Sequence, residues 1–369
     1  MKFSVFHPFP NYGVPESTWP NPPRLSRVPG LARDGIDKAI TFALRAEAVG
    51  VDQVSVAEHH YSAKQLSPNS AIGAVLVAQA TTTVGVGLLG STLPLVNPLR
   101  LAEEIGMLDA IAGGRLMVGF FRGTPNEYLT YGSNPWESKE VFQEQVELLQ
   151  AAWREPEPFA WVGRHFDYRT VSVWPQPSEE IPILVAANSP ASAEYAARKG
   201  FIAGFAFAPP PVIASFASVY RETSAALGRE IGPDDMLYRA FGLIADTDEE
   251  AERLQERTQY GNFGNLDRAM GGAAPASARV AAAMKGVPAD APIPEGLRPP
   301  AMGRPLFMGS PETVARQIAA FVETTGVGRI ELVLSDAELP FADAMRSLDL
   351  FGTEVIPRVR ELVDVAVAS

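Results

Sequence analysis

Val54-Ser55-Val56-Ala57-Glu58-His59-His60-Tyr61 is the stretch that decides the fold. Four small or apolar residues in a row are the pattern of a strand buried on both faces, as in a parallel sheet. The strand then breaks into a carboxylate and two imidazoles. The chain has only four histidines, His7, His59, His60 and His165, so two neighbours at one strand end are not random filler. In a barrel of parallel strands, the C-terminal strand ends are where chemistry is placed.

The flanking chain alternates in the same way. Residues 3–9 read as a first strand. Residues 33–49 carry Ile36, Ile40, Ala43, Leu44 and Ala48 at helical spacing and stop at Gly50. After the second strand come an apolar helix at 70–81, a glycine-rich strand at 83–91, a helix at 98–112 closed by Gly113-Gly114, and a strand at 116–121. Helix 138–153 places Val141, Val146, Leu149 and Trp153 on one face, and residues 159–174 form a hairpin. Strands at 183–187, 201–207, 237–245 and 329–334 alternate with helices at 191–198, 212–227, 246–258 and 311–324, before a closing helix at 341–365. Eight β/α steps predict an α/β chain folded as one TIM (β/α)8 barrel over residues 1–369. The Gly-, Ala- and Pro-rich residues 259–305 predict an irregular insertion after the seventh strand, either a lid over the strand ends, the preferred reading, or a disordered loop. Asn11, Tyr12 and Trp19 lie in a second long loop, after the first strand, and either line a substrate cleft or cover the barrel top.

Composition narrows the class. Hydrophobic residues are 46% and charged residues 20% of 369, ordinary for a globular enzyme. A net charge of −12 argues against nucleic acid as partner, because phosphate binding needs clustered cations. The absence of cysteine excludes disulfides, thiolate metal sites and cysteine nucleophiles. The amino terminus reads as a strand and not a leader, and no 18-residue apolar run occurs, so a cytoplasmic protein without membrane contact is expected.

Four constellations carry chemistry. His59 can move protons near neutral pH, with Glu58 fixing its tautomer. Adjacent strand residues point to opposite sides, so His60 should be structural. The bland alternative is that both histidines cap the strand, and no metal site is expected because no further cluster completes a ligand set. Arg122 follows the fourth strand, where a fixed cation wants an anion such as phosphate; a surface salt bridge with Glu127 is the other reading. Asn188-Ser189-Pro190-Ala191-Ser192 opens a helix, which offers an anion site and needs an N-cap in any case. Gly90 at the end of the third strand allows either a close-lying ring or a tight barrel turn. His7 and Phe9 should face the pocket mouth, and His165 the hairpin surface.

Six segments, 57–61 (AEHHY), 91–104 (STLPLVNPLRLAEE), 108–115 (LDAIAGGR), 118–123 (VGFFRG), 187–192 (ANSPAS) and 309–314 (GSPETV), stand in one order and spacing. Together they resemble a known family, the bacterial luciferase-like flavin monooxygenases. The resemblance covers the chain from Met1 to about Val363. It implies that His59 handles protons beside a flavin, that Arg122, Ser189 and Ser192 hold the FMN phosphate, and that Gly90 and Ser91 lie against the ring, with Ser91 or Thr92 bonding its edge. The family often has a non-proline cis peptide at that point. Phe121 stands where luciferase has a cysteine, so light emission is not expected and the pocket should be bulkier; Asn188 stands where luciferase has a glutamate. The implied reaction takes reduced FMN from a separate flavin reductase and, through a C4a-peroxyflavin, oxygenates a small aldehyde, ketone, alkane or sulfur compound. A homodimer through barrel helices is also implied. Alternatives are an F420-dependent oxidoreductase of the same superfamily, a non-catalytic flavin-binding relative and, outside it, a metal-dependent hydrolase. No Gly-x-Gly-x-x-Gly run follows a strand, so no nicotinamide site is expected.

Overall fold

The computed structural model describes residues 1–7, 9–10, 12, 30–60, 65–123, 127–128, 131–177, 180–256, 282, 286–288, 291–292, 307–335 and 339–368. The strands are β1 (Lys2–His7), β2 (Gln53–Val56), β3 (Gly85–Thr92), β4 (Leu116–Phe121), β5 (Phe159–Val162), β6 (Asp167–Val171), β7 (Ile183–Ala186), β8 (Ile202–Ala206), β9 (Met236–Ile244), β10 (Phe307–Gly309) and β11 (Arg329–Val333). The helices are α1 (Leu31–Ala48), α2 (Ser70–Ala80), α3 (Pro98–Ala112), α4 (Ser138–Arg154), α5 (Pro190–Lys199), α6 (Pro210–Ala226), α7 (Asp248–Glu256), α8 (Pro311–Thr325), α9 (Phe341–Leu350) and α10 (Ile356–Ala368). Strands β1, β2, β3, β4, β7, β8, β9 and β11 pair in parallel in that order, and β11 pairs back to β1, which closes the expected eight-stranded barrel. Strands β5 and β6 form the separate antiparallel hairpin.

Helix starts repeat one local device. Asn97-Pro98, Ser189-Pro190 and Ser310-Pro311 each put a capping side chain before a proline at the first helical position. The cap supplies an acceptor for otherwise orphaned amides, and proline brings a pre-set φ to a position whose N–H has no helical partner. Helix α3 ends at Gly113, whose φ of 61° is the left-handed conformation that favours glycine.

Side-chain alternation divides the apolar core into two layers. Phe6, Ala57, Leu89, Met117, Leu184, Leu237 and Val333 fill the barrel interior. Val5, Val54, Val56, Val86 and Leu88 point outward and pack under the helices. The alternation corrects two expectations. His7 and Phe9 do not face the barrel mouth: His7 is fully buried and stacks on Phe42 of α1 with ring centroids 4.3 Å apart. Phe6 takes the inward position, so its neighbour must point out. The buried face of α1 is Gly35, Ala39, Phe42, Ala43 and Ala46, while Leu44 is exposed, a rotation of the stripe read from the sequence.

Strand β10 was not expected. It pairs with Gly242–Ile244, the part of β9 that runs on beyond its barrel partners. Most of residues 259–305, the expected lid, lie outside the described residues, as do Asn11 and Trp19. Tyr12 packs edge-on against Phe341 with ring centroids 5.3 Å apart, over the helix layer. No helix among the described residues is long and apolar enough to cross a membrane.

Candidate functional site

A cavity of about 540 Å³ opens at the C-terminal ends of the barrel strands. It gathers Glu58, His59, Gly90, Phe121, Arg122, Asn188, Ser189 and Ser192 from four separate strand ends. Of the residues singled out from the sequence for cofactor binding, Ser91 alone is missing. A register shift between β3 and β4 at Leu88/Ser91 is the cause: a bulge moves Thr92 to the inner face and turns Ser91 outward. Ser91 is buried there with no hydrogen-bond partner for its hydroxyl among the described residues, while Thr92 lines the cavity.

Gly90 is fixed by close approach of backbone. A Cβ built there would lie 2.3 Å from the Glu58 amide nitrogen and 2.6 Å from the Ala57 carbonyl carbon. This meets the tight-turn reading, and the open side of the residue still faces the cavity. The peptide before Ser91 is trans; among the described residues the single cis bond is Trp174–Pro175.

The two adjacent histidines have different partners. The His59 side chain is 44% exposed, and its Nδ1 lies 3.4 Å from Oε1 of Glu127. Glu127 is buried on the short segment after β4. His60 is wedged between two other groups: its Nδ1 is 2.8 Å from the Tyr131 hydroxyl, and its Nε2 is 3.6 Å from Glu58 Oε1, beyond hydrogen-bond distance. The expected pairing of Glu58 with His59 is therefore corrected. Glu58 accepts from the Ser70 amide and hydroxyl and from the Thr92 amide, at 3.3, 3.1 and 3.2 Å. It clamps the start of α2 to the end of β3, a job that its place at the strand terminus dictates.

The other end of the cavity gathers hydrogen-bond donors and cations. Ser189 and Ser192 form a capping box: the Ser192 amide donates to the Ser189 hydroxyl at 3.2 Å, and the Ser189 amide donates to the Ser192 hydroxyl at 3.0 Å. Asn188 accepts from the Ala206 amide at 2.8 Å, which leaves its amide nitrogen as a donor. Arg122 and Lys139 add two cations, Lys139 coming from the first turn of α4. Among the described residues no ion pair joins Arg122 to Glu127, whose Oε1 faces His59. Tyr195 on α5 lines the same wall; its hydroxyl is buried without a partner among the described residues, and desolvation raises its pKa well above the usual range. Cations, a helix N-terminus and an orphaned hydroxyl suit a phosphate-bearing ligand. Apolar walls from Phe6, Leu89, Phe121 and Val185 suit a flat ring system beside it.

A model described as luciferase-like monooxygenase matches residues 1–328. The chain belongs to the luciferase-like monooxygenase family. Among curated relatives, 3,6-diketocamphane 1,6-monooxygenase of Pseudomonas putida is 24% identical over 374 residues, covering 89% of this chain and 94% of that protein. F420-dependent glucose-6-phosphate dehydrogenase of Kineococcus radiotolerans is 27% identical over 233 residues, covering 60% and 68%. Other alignments reach only part of their relatives: with an uncharacterized protein of Sinorhizobium fredii, 34% identical, the match spans 50% of that protein. The solved structure of monooxygenase RslO1 from Streptomyces bottropensis superimposes with a TM-score of 0.76 at 26% identity, over 97% of this chain and 99% of the other. Solved structures of a 3,6-diketocamphane monooxygenase component with FMN and of an F420-dependent secondary alcohol dehydrogenase share the barrel fold, with TM-scores of 0.75 and 0.70.

Glu127, Lys139, Tyr195 and Arg239 also line the cavity and were not singled out from the sequence as site residues. Each stands alone in its segment without a motif around it. His165 in the hairpin is half-buried, not fully exposed, and its Nε2 has no partner among the described residues.

Proposed function

We propose that the protein is the oxygenase component of a two-component flavin monooxygenase, binding reduced FMN delivered by a separate flavin reductase and adding one oxygen atom from O2 to a small organic substrate. The observation that carries this reading is the joining, in one cavity, of the Arg122–Lys139–Ser189–Ser192 cradle with His59 across apolar walls. Bound reduced flavin would supply the electrons that activate oxygen.

The protein's own groups have separable roles. Arg122 and Lys139 neutralise the phosphate, and the opening turn of α5 directs amide and hydroxyl dipoles at it. Phe6, Leu89, Phe121 and Val185 exclude water from the reacting region. His59 presents Nδ1 to Glu127, so Nε2 is the atom left to hold or move a proton toward the cavity. Glu127 is a positioning residue, and Glu58 keeps the strand ends in place. A second copy of the chain is proposed to cover α2 and α3. Helix α2 is apolar on all sides, and Ile72 on it and Met107 on α3 are 64% and 60% exposed.

The relatives named for F420 sustain one alternative, an F420-dependent oxidoreductase on the same cavity. Titration of the protein with reduced FMN and with F420, together with isotope tracing from labelled O2, separates the two. Reduced FMN binding with label in the product is expected. Tight F420 binding without label incorporation would overturn the monooxygenase reading.

A further inference from the structure

The cavity floor holds a cation that the phosphate cradle does not use. Arg239 rises from the middle of β9 inside the barrel, with its side chain 12% exposed. Its Nε donates to Oε2 of Glu331 at 2.6 Å. Glu331 is fully buried on β11, and its other oxygen accepts from the Ser4 hydroxyl at 3.3 Å. One face of the guanidinium lies 3.4 Å from the centroid of the Phe6 ring. An arginine carries five N–H donors. Among the described residues, no acceptor reaches the two terminal nitrogens, and Arg239 lines the cavity.

This arrangement is poorly explained by stability. A buried ion pair replaced by apolar residues of similar volume is often neutral or better. Here the pair sits at a cavity wall, with its carboxylate held by Arg239 Nε and the Ser4 hydroxyl and the terminal nitrogens of the guanidinium left without an acceptor among the described residues. Glu331 fixes the fork and Phe6 covers one face, so the guanidinium is held in one orientation before any ligand arrives. Pre-organised terminal N–H groups on a planar fork match the two oxygens of a carboxylate or sulfonate. The other carboxylates on the cavity wall, Glu58 and Glu127, are directed at Ser70, Thr92 and the histidines and do not reach Arg239.

We infer that Arg239 is a specificity residue that selects an organic substrate bearing a carboxylate or sulfonate group. The acid group docks on the terminal guanidinium nitrogens at the cavity floor, and the apolar remainder of the substrate extends along Phe6. The inference rests on the flavin reading only in that the opposite end of the cavity is reserved for the cofactor phosphate.

Calorimetry with the shape-matched probes benzoate and benzamide tests it, with and without saturating FMN. The wild-type protein is expected to bind benzoate at least about tenfold more tightly than benzamide, as one charge-assisted fork predicts. Arg239→Met should abolish that preference and leave FMN affinity within about twofold. Removing the cation leaves Glu331 buried and unpaired, so the paired variant Arg239→Met with Glu331→Gln keeps the test readable if the single variant unfolds. Equal binding of the two probes to wild type, or a preference that survives in both variants, would overturn the inference. So would an FMN affinity that falls as far as benzoate affinity, because the guanidinium would then serve the flavin. Failure of FMN to bind the wild type would sink the flavin reading alone, since the flavin-free titrations give the same two outcomes.

Discussion

At one end of the cavity, Ser189 and Ser192 bond to each other within a single turn of α5, beside a proline at its first position. At the other end, His59 meets a carboxylate 68 residues away, and Arg239 meets one 92 residues away. The cradle is a local device that any helix start can build, because a cap satisfies amides only a few bonds distant. The proton and floor sites exist only after the barrel closes and brings different strands side by side. A local device should fail locally when cut, whereas a tertiary pair should lose geometry or leave a buried charge behind.

Substitutions can break or sharpen that contrast. The largest effect is expected at the proton site. His59→Ala should lower turnover by about 10²- to 10⁴-fold, the usual worth of a positioned acid–base group, with FMN affinity nearly unchanged. Steady-state kinetics beside flavin titration checks this, and the reverse pattern would make His59 a binding residue. Next is the floor pair. Glu331→Ala strands the Arg239 charge inside the barrel and should cost about 3–5 kcal/mol in urea unfolding; a loss below about 1 kcal/mol would show that the pair is hydrated and loose. In the cradle, Arg122→Ala should weaken FMN binding by about 1.5–3 kcal/mol, the range for hydrogen bonds to a charged group. Undiminished affinity there would remove Arg122 from the phosphate site.

His7 provides a reference outside the cavity. Burial pulls its pKa down to about 3, against about 6.5 in an unfolded chain. It is neutral when folded, so between those values the unfolded chain binds the extra proton. Stability is then complete above about pH 6.5 and falls as pH drops toward about 3. Unfolding at about pH 7 and about pH 5 should differ by about 2 kcal/mol from this group, and His7→Gln should remove that part of the difference. An equal slope in both proteins would place the pH dependence elsewhere. The smallest effect belongs to the most local bond: Ser189→Ala should destabilise by about 1 kcal/mol through the lost cap, as thermal melts would show.

Particular residues show where sequence reading succeeds. The eight β/α steps were legible because strand and helix periodicities repeat along the chain, and the barrel closes as those steps require. Arg122 and the 188–192 run were legible because each ends a strand. Ser91 was misplaced because a bulge reverses inside and outside without a mark in the sequence. His7 was misplaced because an apolar neighbour on each side hides which face a strand residue takes. The pairing of Glu58 with His59 fails because three hydrogen bonds from two residues, Ser70 and Thr92, hold it to α2 and β3.

The sequence by itself determined the order of elements, the helix starts and the strand ends that carry Glu58-His59-His60, Arg122 and Ser189, because these follow from propensities and caps within a few residues. Only the tertiary structure decided that His59 faces Glu127, that His60 lies between Glu58 and Tyr131, and that Arg239 stands over Glu331 beneath the cavity. The His59–Glu127, His60–Tyr131 and Arg239–Glu331 contacts depend on barrel stagger and strand register, which bring residues 68, 71 and 92 positions apart within a few ångströms, and no local pattern encodes that distance.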